Sequence, residues 1–230
     1  MLNQTGKYNM LKVIKFIFAF MMFFTLPAYA DDEVAVPSTE ARLWANTKGN
    51  ELLQALALTD AQQKFSALDK MMTEDVNLDY VAKFVIGKYM RLMTGEQKQK
   101  YIDLFRRYVL SLYKKSNFNF DSSGINFSIE SVTEYAKYTN VSCLVDASEA
   151  LNGIKIEKIP VKFKLIRGDD NRVQAVDVEI SNVSMVIEYR KRFYQMIIEE
   201  QGDINLFLEK FEDKVKANEE IIAQRLTVQQ

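Results

Sequence analysis

From Val173 to Phe193 the chain reads VQAVDVEISNVSMVIEYRKRF, an alternating strand that passes through a short turn straight into an amphipathic helix. Val176, Val178 and Ile180 alternate with Asp177, Glu179 and Ser181, the period of a strand with one buried and one wet face. Asn182 or Ser184 can cap the helix that follows. Val186, Tyr189, Phe193 and Ile197 then recur at three- or four-residue steps as one apolar stripe. A join this short forces strand and helix to lie side by side, so a sheet and a helix must share a core.

The N-terminus carries a different kind of signal. Lys7, Lys12 and Lys15 precede an apolar run from Phe16 to Leu26, Pro27 ends it, and Ala28-Tyr29-Ala30 is a small-x-small cleavage site. The run is far short of the roughly 20 residues a spanning helix needs, and Asp31, Asp32 and Glu33 follow directly. Residues 1–30 are therefore read as a cleaved secretory signal peptide. Residue 31 is not cysteine, which argues against a lipidated start. Removing the signal leaves about 200 residues, enough for one domain with a sizeable core, and shifts the formal net charge of −1 to about −4. That balance disfavours general nucleic-acid binding. Residues 31–230 are read as a single domain with a polar tail from about 217.

Cys143 is the only cysteine, so no internal disulfide can form and the core must hold the exported chain together. The sequence has no histidine, which removes the Ser-His-Asp triad and the commonest metal ligand. Eight glycines are present, and none assembles into a phosphate-binding loop or a dinucleotide fingerprint. No catalytic residue and no metal ligand is assigned.

The first half is helical in pattern. A helix after Pro37 carries Trp44, Leu52, Leu53 and Leu56, with Gly49 at its weak middle. Asp60 with Gln63 and Thr94 with Gln97 are capping-box spacings, Asn77 opens a further helix, and Gly87 stands where a positive-φ residue would end it. The helix after Thr94 is the most periodic, through Tyr101, Phe105, Tyr108 and Leu112. Strands then follow at Ile125–Ile129, Val141–Val145, Ile159–Leu165 and the opening segment, with turn chemistry at residues 168–171. Gly202 and Asp203 start a last helix through Ile204, Phe207, Phe211 and Val215. The predicted class is α+β: an antiparallel sheet of about four strands covered on one face by helices from both ends, with an apolar pocket between the layers.

Isolated chemical signals carry little. Ser111-x-x-Lys114 matches the SxxK spacing of penicillin-interacting enzymes, but no SDN or KTG accompanies it. Cys143 alternates with Val141 and Val145 and reads as a buried small residue. Asp169-Asp170 and Glu199-Glu200 fall in a turn and near a helix end, where solvated charge explains them. Arg106, Arg107, Lys114 and Lys115 read as a wet helix face.

Two blocks carry a family resemblance. Phe84-Val85-Ile86-Gly87-Lys88-Tyr89-Met90-Arg91, with Tyr101, Phe105 and Tyr113 after it, resembles one signature of the MlaC, or toluene-tolerance, proteins. Val176-Asp177-Val178, Val183-Ser184-Met185-Val186, Tyr189-Arg190 and Phe193 resemble the second, with Asn182 standing where that family has glycine. The resemblance covers roughly residues 38–215. It implies a periplasmic phospholipid carrier, not an enzyme, that works between an outer-membrane lipoprotein complex and an inner-membrane ABC transporter and maintains outer-membrane lipid asymmetry. A hopanoid-associated shuttle of the same family and a non-carrying periplasmic adaptor are the alternatives. No cofactor is implied beyond bound phospholipid as cargo. By position, the implied lipid pocket comprises Leu104, Phe105, Tyr108, Leu112, Phe127, Ile129, Cys143, Val145, Phe163, Leu165, Val176, Val178, Met185, Tyr189 and Phe193.

Overall fold

Local sequence signals set most of the element boundaries in this structure, a computed structural model that describes residues 35–115, 124–147 and 158–228. The predicted signal peptide lies outside those residues. Helix α1 spans Ser38–Ala57, α2 Ala61–Glu74 and α3 Leu78–Ile86; a 3-10 segment, Gly87–Leu92, leads to α4, Gly95–Lys114. Asp60 accepts from the Gln63 amide and Asn77 from that of Tyr80. Thr94 and Gln97 close the full reciprocal capping box of α4. Gly87 adopts φ +51°, the positive-φ geometry that its place after α3 implies.

Among the described residues five strands follow in simple order, β1 Asn126–Glu134, β2 Thr139–Asp146, β3 Ile159–Arg167, β4 Val173–Ile180 and a short β5, Val183–Ser184, all pairing antiparallel with their neighbours. The fifth strand adds two residues to the sheet expected from sequence. Ser181 and Asn182, with φ of 51° and 65°, form the two-residue turn between β4 and β5. Positive φ at both central residues is the hairpin geometry that suits twisted strands, and asparagine tolerates it best after glycine. Helix α5, Met185–Glu199, starts immediately, and α6, Ile204–Val228, is the last element among the described residues.

The opening join is locked by a polar device. The Ser184 hydroxyl donates to Asp177 Oδ2 at 2.6 Å and accepts from the Ile187 amide at 3.2 Å, while Asp177 Oδ1 accepts from the Val186 amide at 3.2 Å. A half-buried carboxylate of β4 thus satisfies the start of α5 and complements its dipole.

Two apolar clusters result. Helices α3 to α6 enclose one, centred on Tyr101, Phe105, Phe193, Phe207 and Phe211, each at most 1% exposed. The other lies between α1 and one face of the sheet, from Val36, Ala41 and Ala45 to Val141, Cys143, Leu165 and Ala175. Val76, packed against both, joins them. Its segment also extends the sheet: the Ala175 amide donates to Asp75 O and the Asn77 amide to Ala175 O, at 2.8 and 3.0 Å.

The α1 interface differs from its apolar stripe. Its buried residues are Ala41, Ala45 and Ala55, whereas Leu52 is exposed. Small side chains let the helix axis approach the sheet. Gly49 continues this: a Cβ there would collide with the Phe127 ring, so the glycine that weakens the helix locally also admits an aromatic beneath it.

The polar tail from about 217 remains helical to Val228, because its polar groups have partners on α4. Buried Asn218 donates to Ser111 Oγ at 2.8 Å, Glu219 pairs with Arg107, and Arg225 donates to Lys115 O.

Candidate functional site

Eleven of the fifteen residues read as pocket wall divide between the two clusters. Leu104, Phe105, Tyr108, Leu112, Tyr189 and Phe193 belong to the helical one. There the Phe193 ring lies 4.9 Å from Phe211, 5.8 Å from Phe105, 6.0 Å from Tyr101 and 6.1 Å from Tyr108, centroid to centroid. The Tyr101 hydroxyl donates to Ala82 O at 3.0 Å, and burial pushes its pKa upward. Edge-to-face rings at these spacings are a filled interior.

Phe127, Ile129, Cys143, Phe163 and Leu165 belong to the sheet cluster. Phe127 pairs across strands with Val145, Ile129 with Cys143, and Phe163 with Val178, so all six share one face. Helix α1 covers this face unevenly. Val141, Cys143, Leu165 and Ala175 are buried, while Val145, Val161, Val178 and Ile180 towards the other end are half-buried. Val176 is the extra residue of a bulge, skipped where Lys164 pairs with Asp177 and Leu165 with Ala175. It is buried, and Met185 is half-buried as the first residue of α5.

Sequence reasoning missed the contribution of α1 to this surface. Ala41 and Ala45, one helical turn apart, carry no strong periodic signal because alanine is nearly neutral in such patterns. Trp44 meets Phe163 edge-on at 5.9 Å, and its indole N–H is buried without a hydrogen-bond partner among the described residues. A donor left so costs on the order of 1–3 kcal/mol.

Clefts lined by described residues also lie elsewhere. One of about 710 Å³ opens between the α2–α3 junction, α4 and the β3–β4 hairpin, lined by Asn77, Asp79, Arg106, Leu110, Arg167 and Gln174 among others. Its wall is ionic: Arg106 donates to both Asp79 carboxylate oxygens, at 2.8 and 2.7 Å. A smaller cleft of about 400 Å³ separates α1 from α2 beside Lys48, Glu51, Met71 and Asp75. Neither is lined by the fifteen residues.

The isolated chemical signals resolve into structure. Ser111 donates within its own helix to Tyr108 O at 2.6 Å and accepts from Asn218 at 2.8 Å, and Lys114 pairs with Asp69 at 2.6 Å, so the two residues of the SxxK spacing serve separate structural contacts. The basic residues of α4 tie helices together through Asp79, Glu219, Asp69 and Asn218. Among the described residues no group of acidic or sulfur side chains could hold a metal, and no helix is long and apolar enough to cross a membrane.

Burial pushes the Cys143 thiol up to about 11. The neutral thiol is the stable form in the fold, so its contribution is complete below the usual value of 9.0 and is lost as pH rises through about 11. A disulfide reagent at pH 8 is expected to label Cys143 at the rate of global opening and to react at once in denaturant; immediate labelling of the folded protein would show the face open at this point.

Comparisons with known proteins agree with this architecture. A family model described as MlaC protein matches residues 47–213. The solved structure of a phospholipid-binding protein from Ralstonia solanacearum, in complex with a phospholipid, superposes with a TM-score of 0.63 at 16% identity, over 77% of this chain and 98% of that one. No curated protein matches the sequence.

Proposed function

Because the chain belongs to the MlaC family, we propose that it is a phospholipid carrier that takes acyl chains against the half-covered apolar face of its sheet. The observation that carries this reading is the likeness of fold to a protein solved with a phospholipid bound, aligned over nearly its whole length. The site is the surface shared by Phe127, Val145, Val161, Phe163, Val178 and Ile180, roofed in part by α1 around Trp44. The filled aromatic cluster acts as the rigid wall behind it.

The physical need for such a carrier is large. Two acyl chains of about 16 carbons hold roughly 30 methylenes, and at about 0.8 kcal/mol each their exposure to water costs on the order of 20 kcal/mol. Shielding them requires a continuous apolar surface and no covalent chemistry, which suits a chain without histidine. The proposed setting is the periplasm, reached through the predicted signal peptide. The proposed partners are an outer-membrane lipoprotein complex and an inner-membrane ABC transporter, with outer-membrane lipid asymmetry as the outcome.

The test is to produce the full chain, recover the exported protein, extract it with organic solvent and identify lipid by mass spectrometry. Stoichiometric phospholipid is expected. Protein that carries no lipid and takes none from vesicles would overturn the proposal.

A further inference from the structure

At the C-terminal end of α3, on the outer side of the helical cluster, two cations gather around one tyrosine with no anion among them. Arg190, half-buried on α5, places its guanidinium 4.9 Å from the Phe84 ring centre and 5.4 Å from that of Tyr194. Lys88, in the 3-10 segment, holds its ammonium 5.1 Å from the Tyr89 ring centre and 5.7 Å from that of Tyr194. Tyr89 and Tyr194 meet edge-on at 5.0 Å. Among the described residues neither cation has a carboxylate partner, and the nearby Glu188 is paired with Lys191 at 2.9 Å.

The hydrogen bonding is equally one-sided. The Tyr194 oxygen accepts from Arg190 Nε at 3.3 Å, from Arg190 Nη2 at 3.2 Å and from the Lys88 amide at 3.3 Å. Its own proton has no acceptor among the described residues. The remaining guanidinium N–H groups, the ammonium and the phenol are all donors. Gly87 makes the niche possible, because a Cβ at this φ +51° position would collide with Arg190 Nη2 and Tyr194 Oη.

Stacking on rings orients a guanidinium and offsets part of its desolvation, but it leaves the charge unneutralised. Two like charges brought to one aromatic ring raise the potential there, and the apolar walls reduce screening. A carboxylate offers two oxygens, whereas a phosphate group offers more and can meet a planar fork, a point charge and a phenol together.

We propose that Arg190, Lys88 and Tyr194 form a binding site for a phosphate group, carried either by a lipid headgroup or by a small soluble phosphate ester. The site is independent of the apolar sheet face and does not rest on the carrier reading.

The experiment titrates inorganic phosphate into the purified ¹⁵N-labelled protein at low salt and follows arginine Nε–Hε resonances, with Lys88→Gln and Arg190→Lys as variants. Lys88 is exposed, so its substitution leaves the fold intact. Saturable movement of the Arg190 resonance is expected, with affinity about tenfold weaker in Lys88→Gln through loss of one charge-assisted contact. A second arm offers phosphatidylglycerol vesicles. Vesicle binding that phosphate displaces assigns the site to a headgroup, and phosphate binding without vesicle binding assigns it to a soluble ester. No saturable response to either ligand, or equal affinity in Lys88→Gln, overturns the proposal.

Discussion

Phe193→Ala is expected to lower the free energy of unfolding by about 3–5 kcal/mol, the upper range for truncating a buried aromatic side chain. The Phe193 ring is 1% exposed and sits within 6.2 Å, centroid to centroid, of Tyr101, Phe105, Tyr108, Phe207 and Phe211. Those rings come from α4 and α6, so α5 contributes through Phe193 the centre around which both neighbours pack. Truncation removes the transfer free energy of the ring and leaves a cavity that rigid aromatic neighbours cannot refill. Against a typical total of about 5–15 kcal/mol the loss is a large fraction. Urea denaturation of Phe193→Ala beside Leu206→Ala, which trims a residue 37% exposed, measures it. Equal stability of the two variants would mean that the helical cluster does not hold the protein together.

The second large effect falls on binding. Val178→Asp is expected to weaken phospholipid retention by at least about tenfold while the protein stays folded, because an ionised carboxylate against acyl chains costs several kcal/mol. Val178 is half-buried, so in the lipid-free protein the new carboxylate can reach water. It lies directly across from Phe163 on the proposed lipid face. The companion change Lys162→Asp, one position along β3 and so on the opposite face, is expected to leave retention unchanged. Lipid analysis of both purified variants decides the matter: full retention in folded Val178→Asp removes this residue from the site.

Why some features were legible in the sequence and others were not has a physical basis. The caps at Asp60, Asn77, Thr94 and Ser184 are local, since each bonds an amide three residues ahead. The strands were readable because each of β1 to β4 holds an alternating stretch, even though bulges interrupt β1 after Ile129 and β4 at Val176, and the Asn182 turn because its backbone demand restricts the residue type. The division of eleven of the fifteen pocket candidates between two clusters was not readable. It depends on the bulge at Val176 and on the pairing of Val76 with Ala175, a contact between residues about a hundred positions apart whose formation no local pattern announces. Alanines at 41 and 45 hid the α1 contact for the same reason that they permit it, their small size. The polar residues beyond Lys216 lacked a helical stripe, yet Ser111 and Arg107 on α4 and Lys115 at its C-cap supply the partners that keep them helical. Arg190 and Lys88 met only in three dimensions, through Tyr194.

Trp44 is the only tryptophan in the chain and stands at the roof of the proposed lipid face, so its fluorescence reports on that place alone. The decisive measurement loads the protein with a phospholipid brominated along its acyl chains and compares Trp44 emission with that of the same protein carrying the unbrominated lipid. Strong, saturable quenching by the brominated lipid alone is predicted, since bromine quenches an indole only at close contact. Stoichiometric lipid binding with Trp44 emission unchanged would contradict the account and place the acyl chains away from the α1-covered face of the sheet.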